Sequence, residues 1–371
     1  MIGWFTPRYL KDGREVHKAA AKLLAYRRDL LPPEVVAEIE KELENLRQAL
    51  KERRKEGVEE VSGRLDQLFG QHFPQHKHHA FRENCEVILV ALVVAVGVRS
   101  YFIQPFTIPT GSMQPTLNGI ISHVTEEPPP GPLVRAAHLL LYGRDYVNLV
   151  SEVDDEVVDI RPVKRFGIFN FSLVQCRRQS FTVHVPPDKL MRDFHVLKGR
   201  PLKAGEVFAR GYVNTGDHVF VDKFSYHFRA PKRGEIFVFN TAGIRDITPH
   251  GEPSQFYIKR LAGLPGDELR IDPPNLYING QKASEPGFLR VMAAKDGYRG
   301  YSNGDTRGNR FPYLGSPEAT FHVPRKAYFA LGDNSYDSSD SRRFKTVPEH
   351  NLTGRGFLVY WPFTSHWGLM K

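Results

Sequence analysis

Apolar positions follow a helical period in the first part of the chain, a continuous run in the second and a strand period in the third. From residue 1 to about 80, Val36, Ile39, Leu43, Leu46 and Leu50 recur at intervals of three and four among Glu, Lys and Arg. Val16, Ala20, Leu23 and Leu24 give a shorter helical face upstream. Pro32-Pro33 separates the two, which predicts a helical hairpin whose seam packs on its partner helix; dimerisation through the heptad is the other use of that surface.

The continuous run is Val87 to Val98, without a charge. Twelve residues fall short of the ~20 that cross a bilayer. Counting from Cys85 to Ile103, with Glu86 at one interface and Arg99 snorkelling to the other, predicts a transmembrane helix over 85–103. Tyr101 and Phe102 then sit in the interfacial belt, and the basic residues upstream (Lys77, Arg82) place the N-terminal region on the cytoplasmic side. A polar stretch of this length before the run argues against a cleavable leader.

After residue 104 the period becomes that of strands. Gly216-Asp217-His218-Val219-Phe220-Val221, Arg233-Gly234-Glu235-Ile236-Phe237-Val238-Phe239, Tyr328 to Leu331 and Gly356 to Trp361 each read as turn then strand, and Asn275-Leu276-Tyr277-Ile278 runs into an Asn279-Gly280 hairpin. The fold class is therefore mainly β: an antiparallel domain over 104–371, preceded by one membrane helix and a helical region at 1–80. Two stretches stand apart. Residues 120–205 have a different texture, with the stiff Pro128-Pro129-Pro130-Gly131-Pro132 spacer, a short amphipathic helix at Leu133 to Tyr142, an acidic stretch (Glu152, Asp154, Asp155, Glu156, Asp159) and the strand patterns 166–171 and 181–185. Residues 281–320, rich in Gly, Arg and Tyr, read as a loop excursion.

Net charge is +9 with 41% hydrophobic residues, an ordinary folded composition whose basicity suits an anionic membrane surface or nucleic acid. No basic stripe interleaved with aromatics and no nucleic-acid motif is present, so the membrane is the favoured partner and nucleic acid is not expected. Two cysteines, Cys85 and Cys176, are too few for a disulfide scaffold and fall on opposite sides of the expected span. His72, His76, His78 and His79 lack the spacing of a metal site, and the acidic stretch lacks that of a calcium loop, so both read as solvated and no metal or cofactor is expected.

The chemistry concentrates at Pro109-Thr110-Gly111-Ser112-Met113-Gln114-Pro115-Thr116-Leu117, directly after the apolar run. Gly111 permits a turn that presents the Ser112 hydroxyl, and Pro105, Pro109 and Pro115 fix the chain on both sides. A serine needs a base. No histidine occupies a comparable motif nearby, whereas Lys259 in Phe256-Tyr257-Ile258-Lys259-Arg260-Leu261 lies in an apolar strand that would lower its pKa by desolvation. The N–H of Ser112 and the hydroxyl of Thr110 are candidate oxyanion donors.

These segments, in this order after one apolar run, resemble the bacterial type I signal peptidases, the serine-lysine endopeptidases that cut leader peptides from exported proteins. The motifs are P-T-G-S-M-x-P-T-L, Y-I-K-R-x-x-G-L-P-G-D, and G-D-N followed by S-S-D-S-R. The resemblance implies Ser112 as nucleophile, Lys259 as general base, Ser338 as the hydroxyl orienting the lysine amine, Thr110 as oxyanion donor, and Asp340 and Arg342, with Gly332 and Asp333, as structural support. It implies that the substrate adds as a strand between Gln104, Pro105, Phe106, Ile108, Pro109 with Met113 on one side and Phe256, Tyr257, Ile258 on the other, with small pockets selecting an Ala-x-Ala pattern. It further implies preproteins as substrates, the export translocon as a partner, and a catalytic domain on the outer face of the cytoplasmic membrane. The chain departs from the pattern in its 120–205 insertion and in Ser335-Tyr336, where Arg-Asp is common. The alternatives are a specialised serine-lysine processing protease of a conjugation system and a catalytically inactive, membrane-anchored module that binds signal sequences.

Overall fold

The computed structural model describes residues 7–73, 79–165, 169–247 and 255–370. The chain divides into two compact units, Met1–Val93 and Val94–Lys371.

The first unit holds three helices where the sequence reading expected two: α1 (Arg8–Arg27), α2 (Pro33–Glu52) and α3 (Lys55–His72). The α2 seam packs as expected, with Val36, Ile39, Leu43 and Leu46 buried, against Ala20 and Leu24 of α1 and Val58, Val61 and Leu65 of α3. Leu23 stays outside this core, 36% exposed. The helix after α2 exists because Arg53 turns the chain in the left-handed region at φ 55°, and α3 brings its own apolar face back onto the seam. Of the four histidines, His76 and His78 lie outside the described residues.

The apolar run forms α4 (His79–Tyr101). Its large apolar side chains from Val87 to Val98 are each at least 44% exposed. The end of the expected helix over 85–103 is corrected, since Ile103 already begins a strand; the uncharged segment of twelve residues rises about 18 Å, against about 30 Å of bilayer hydrocarbon. Among the described residues no helix is long and apolar enough to cross a membrane.

The second unit is an antiparallel β domain. Its principal sheet contains β1 (Ile103–Thr107), β2 (His218–Asp222), β3 (Ile236–Asn240), β4 (Phe256–Gly263), β5 (Ala327–Leu331) and β6 (Leu352–Trp361). They lie in the order β1-β2-β6-β3-β4-β5, with Val347–Pro348 beyond β5 and Gly368–Leu369 paired to β6. Every one of these pairings is antiparallel. Among the described residues the outer side of β1 has no strand partner, and β4 pairs with β5 only from Arg260 onward, which leaves the Phe256–Lys259 segment open on that side.

A second sheet of four short strands (Glu268–Asp272, Asn275–Ile278, Gln281–Lys282, Thr320–His322) packs over a core of Leu269, Ile271, Leu276, Phe288, Phe321 and Phe329. Its hairpin turns at Asn279 and Gly280, whose φ of 53° and 77° are the left-handed pair that Asn-Gly tolerates best. The 281–320 excursion is less loop-like than its composition suggests: it carries a helix, Pro286–Met292, and buries Tyr301, Phe311 and Leu314.

The insertion is a β layer with its own core of Val147, Leu149, Val157, Ile160, Val174 and Phe208. Its acidic residues serve as local caps: Asp155 accepts from the backbone N–H of Glu156, Arg177, Arg178 and Gln179, and Asp159 pairs with Lys198 at 2.6 Å. It also holds α5 (Pro132–Tyr142), which buries none of its side chains, and α6 (Pro187–Arg192). On the first of these helices Leu133 and Leu140 are 86% and 71% exposed, so its apolar face is open. Cys85 and Cys176 are both free thiols.

The third helix generates a test of the bundle. Replacing Leu65, which is fully buried, with alanine should cost about 2–4 kcal/mol in local stability, whereas the same change at Leu23 should fall within about 0.5 kcal/mol. Native-state amide exchange across α1–α3 reads both.

Candidate active site

The nucleophile loop leaves β1 through Ile108 and Pro109, extended as residues around proline are, and then tightens into a single 3-10 turn at Gly111–Met113. Met113 and Leu117 anchor the loop by inserting into a core with Ile108, Val219, Val221 and Val238. The turn therefore presents the Ser112 side chain toward β4, which carries Lys259.

The two side chains meet. Nζ of Lys259 lies 2.7 Å from Oγ of Ser112, across 147 residues of sequence, and 3.0 Å from the carbonyl oxygen of Ile258. Lys259 is 4% exposed and forms no direct ion pair among the described residues. Burial lowers its pKa from the usual 10.5 to about 8; the charges of Asp340 and Asp333 work against that shift, and Arg342 adds to it. The expectation of a neutralisable amine in an apolar strand thus has a geometric counterpart.

The other expected groups sit as follows. Oγ1 of Thr110 is 3.4 Å from Oγ of Ser112, at the outer limit of a hydrogen bond. Ser338 is buried beside the site, but its hydroxyl finds no hydrogen-bond partner among the described residues, Lys259 included. Gly332 is required there, because a Cβ would stand 2.0 Å from Oγ of Ser338 and 2.7 Å from the Ser112 carbonyl oxygen.

Two fully buried ion pairs floor the site. Asp340 receives Nε and Nη2 of Arg342 at 2.9 and 2.7 Å and the N–H of Gly332 at 3.0 Å. Burial alone would raise the Asp340 pKa; the charge and hydrogen bonds of Arg342 overcome this and hold it below the usual value. Asp333 likewise receives Nε and Nη2 of Arg260 and the hydroxyl of Thr116. Ser335, one of the departures from the family pattern, fits this network, since its hydroxyl accepts from Nη1 of Arg342 at 2.6 Å.

A cleft of about 700 Å³ opens over the dyad. One wall is Ile108 to Ser112, the loop that follows β1, and the facing wall is Gln255 to Lys259, the start of β4, unpaired on its β5 side. Ile108, Pro109, Phe256, Tyr257 and Ile258 line this cleft. Gln104, Pro105, Phe106 and Met113 do not line the cleft. Met113 is a correction, because its side chain is wholly buried beneath the loop as the loop's anchor. Phe106 reaches Phe256 edge-on at 5.3 Å and so ties the two walls together.

Several contributors went unread in the sequence. Arg260 and Thr116, both within the motifs, hold the buried Asp333 carboxylate. Asn334 donates its N–H to the Ser112 carbonyl and its side-chain amide to that of Gly111, at 3.0 and 3.2 Å. The insertion supplies a third wall through Ile120, Ile121 and Ser122 and through Asp188, Lys189, Arg192 and Asp193 in and after α6. No sequence signal pointed α6 at the cleft.

The defining pattern of the family described as signal peptidase, peptidase S26, matches residues 209–361. Among curated proteins, a probable signal peptidase I-2 of Synechocystis is 35% identical over 147 residues, covering 39% of this chain and 56% of the relative. Signal peptidase I of Pseudomonas aeruginosa is 30% identical and covers 40% and 61%. Signal peptidase IB of Staphylococcus aureus is 30% identical over 149 residues, 40% of this chain and 71% of the relative. A crystal structure of a signal peptidase I from Enterococcus faecalis aligns with TM-score 0.24 and 29% identity over 34% of this chain and 97% of that one. The chain belongs to the signal peptidase family, peptidase S26. It spans 56% and 61% of the length of the Synechocystis and Pseudomonas relatives, and the family pattern leaves residues 1–208, with the helical unit, the Ser112 loop and the insertion, uncovered.

The buried pairs generate a stability test. Arg260→Met strands the Asp333 carboxylate in the interior and should cost about 3–5 kcal/mol, while the double change Arg260→Met with Asp333→Leu should recover most of that loss. Chemical denaturation of the three proteins measures it, and an additive double mutant would contradict the pairing.

Proposed function

We propose that the protein is a membrane-bound endopeptidase that removes N-terminal signal peptides from exported preproteins through a serine-lysine dyad. The observation that carries this reading is the 2.7 Å contact between a buried lysine amine and a serine hydroxyl at the base of a cleft walled by the start of β4, unpaired on its β5 side, and the loop after β1.

The substrate enters extended and pairs its backbone with the cleft walls, which favours a chain segment free of structure of its own. Neutral Lys259 takes the Ser112 proton as Oγ attacks the scissile carbonyl carbon. The N–H of Ser112 and the Thr110 hydroxyl face the developing oxyanion. The tetrahedral adduct collapses by expelling the amine of the mature protein, which receives the proton from Lys259, and an acyl-enzyme remains on Ser112. Water, deprotonated by the same lysine, then hydrolyses the ester. The lack of a bonded counter-ion matters here, because a carboxylate paired to the amine would keep it protonated. Ile108, Tyr257 and Ile258 on the walls favour small side chains at the first and third positions before the cut.

The apolar run of α4 supports attachment to a lipid bilayer. A helix apolar on all sides and exposed on all sides gains by transfer into hydrocarbon, and a short one is accommodated by local thinning with Arg99 reaching to the headgroups. With the helical unit on the cytoplasmic side, the catalytic domain then faces outward, as the basic residues upstream of the run suggest.

Ser112→Ala, Lys259→Ala and Lys259→Arg should each abolish cleavage of an Ala-x-Ala preprotein; sequencing of the product's new N-terminus fixes the wild-type cut. Arginine retains the charge and cannot serve as base, so a Lys259→Arg enzyme that still cleaves sinks the dyad. For the wild type, kcat/KM should climb with pH and level off above about 8. The same shift has a stability counterpart. The folded value lies below the 10.5 of the free side chain, so the unfolded chain binds more protons between about 8 and 10.5 and stability rises with pH across that window. Lys259→Met should accordingly be more stable than wild type at pH 7, by up to about 3 kcal/mol in thermal or urea unfolding.

A further inference from the structure

We propose that His366, acting through Asp217, is a positioning residue for the nucleophile loop, so that the C-terminal segment beyond β6 belongs to the catalytic apparatus. This inference rests on the serine-lysine reading and extends it to His366, which lies outside the part of the chain that the family pattern matches.

Asp217 occupies the turn before β2 and is fully buried. It holds the nucleophile loop at both ends. Its carbonyl accepts from the N–H of Ile108 at 2.9 Å, and its N–H donates to the carbonyl of Asn118 at 2.8 Å. Its carboxylate Oδ2 accepts from the N–H of Asn118 at 2.7 Å. Ser112 therefore lies inside a segment, 108–118, whose two ends are pinned to one residue. Gly216 lets the strands close this far, since a Cβ there would fall 1.7 Å from the Ile108 carbonyl oxygen.

What fixes Asp217 in turn is the C-terminal segment. Nδ1 of His366 lies 2.9 Å from Oδ2 of Asp217, while Oδ1 has no partner among the described residues. The imidazole is thus the only side chain among the described residues that donates to this buried carboxylate. Its placement is itself fixed: Met370 packs against the core that holds Met113 and Leu117, and Ser365, His366 and Trp367 face Pro115, Thr116 and Leu117 across a cavity of about 330 Å³. The back of the nucleophile loop is covered by this segment. Without the imidazole donor, the Asp217 carboxylate would lose one of its two hydrogen bonds in the interior, and the geometry of the loop ends would relax.

Small displacements of a nucleophile cost rate more than substrate binding, since the facing wall, Gln255 to Lys259, and the wall from the insertion are formed elsewhere. The full-length protein in detergent, with an Ala-x-Ala preprotein as substrate, tests this. His366→Ala should lower kcat about tenfold with KM within twofold. His366→Asn, whose amide nitrogen falls near Nδ1, should restore kcat to within about threefold of wild type, and His366→Gln, whose amide nitrogen falls near Nε2, should not. Amide exchange supplies a readout independent of activity: His366→Ala should speed exchange at Asn118 and Ile108 while leaving β4 unchanged. Wild-type kcat in His366→Ala, equal rescue by Asn and Gln, or unaltered exchange at Asn118 each overturns the proposal. If the wild type itself fails to cleave, the proposed activity is lost, and the exchange result alone decides whether the latch exists.

Discussion

An amine buried against a hydroxyl, with no carboxylate among the described residues bonded to either, is the constraint around which the second unit is organised. Such an arrangement is unfavourable in isolation. A lysine wholly removed from water prefers to find a counter-charge, and the interior around it contains two candidates, Asp340 and Asp333. Each is instead saturated by its own arginine, with both oxygens engaged. The buried ion pairs thus do more than brace the fold. They place negative charge close enough to moderate the depression of the lysine pKa, yet commit it elsewhere, so the amine stays accessible to the serine.

This separates what sequence could reveal from what it could not. Ser112 and Lys259 were legible because each sits in a local setting whose chemistry is readable on its own: a glycine turn and an apolar strand. The Asn279-Gly280 hairpin was legible for the same reason, since its left-handed φ values are a property of two adjacent residues. Arg260 was opaque. A charged residue next to the dyad lysine reads as a solvated strand position until a partner 73 residues away is brought beside it. Met113 misled because a side chain adjacent to a nucleophile is expected to face the substrate, whereas the 3-10 turn points it into the core.

The helical unit shows the converse error. The α2 seam was read correctly, but its partner was counted as one helix because Pro-Pro marks a boundary conspicuously and Arg53 does not. A left-handed arginine closing a helix leaves no compositional signature. The insertion was seen as an interruption of texture; that its helix α6 forms a third wall of the cleft depends on tertiary closure that no local pattern encodes. The apolar run likewise gave the helix but not its ends, since β1 claims Ile103 through pairing with Asp222.

The free outer edge of β1 has a consequence for how the domain avoids its own kind. In an antiparallel strand, the N–H groups of alternate residues point to opposite sides. Ile108 directs its N–H inward, to Asp217, which assigns Gln104 and Phe106 to the inner side and residues 103, 105, 107 and 109 to the outer. Two of those four are proline, and the carbonyl of Pro109 is already taken by the N–H of Ile120. Between the prolines, Thr107 alone offers an outward donor. A visiting strand can be gripped there over a few residues and no further, so an edge left open to guests refuses the long, self-propagating pairing by which exposed sheets aggregate.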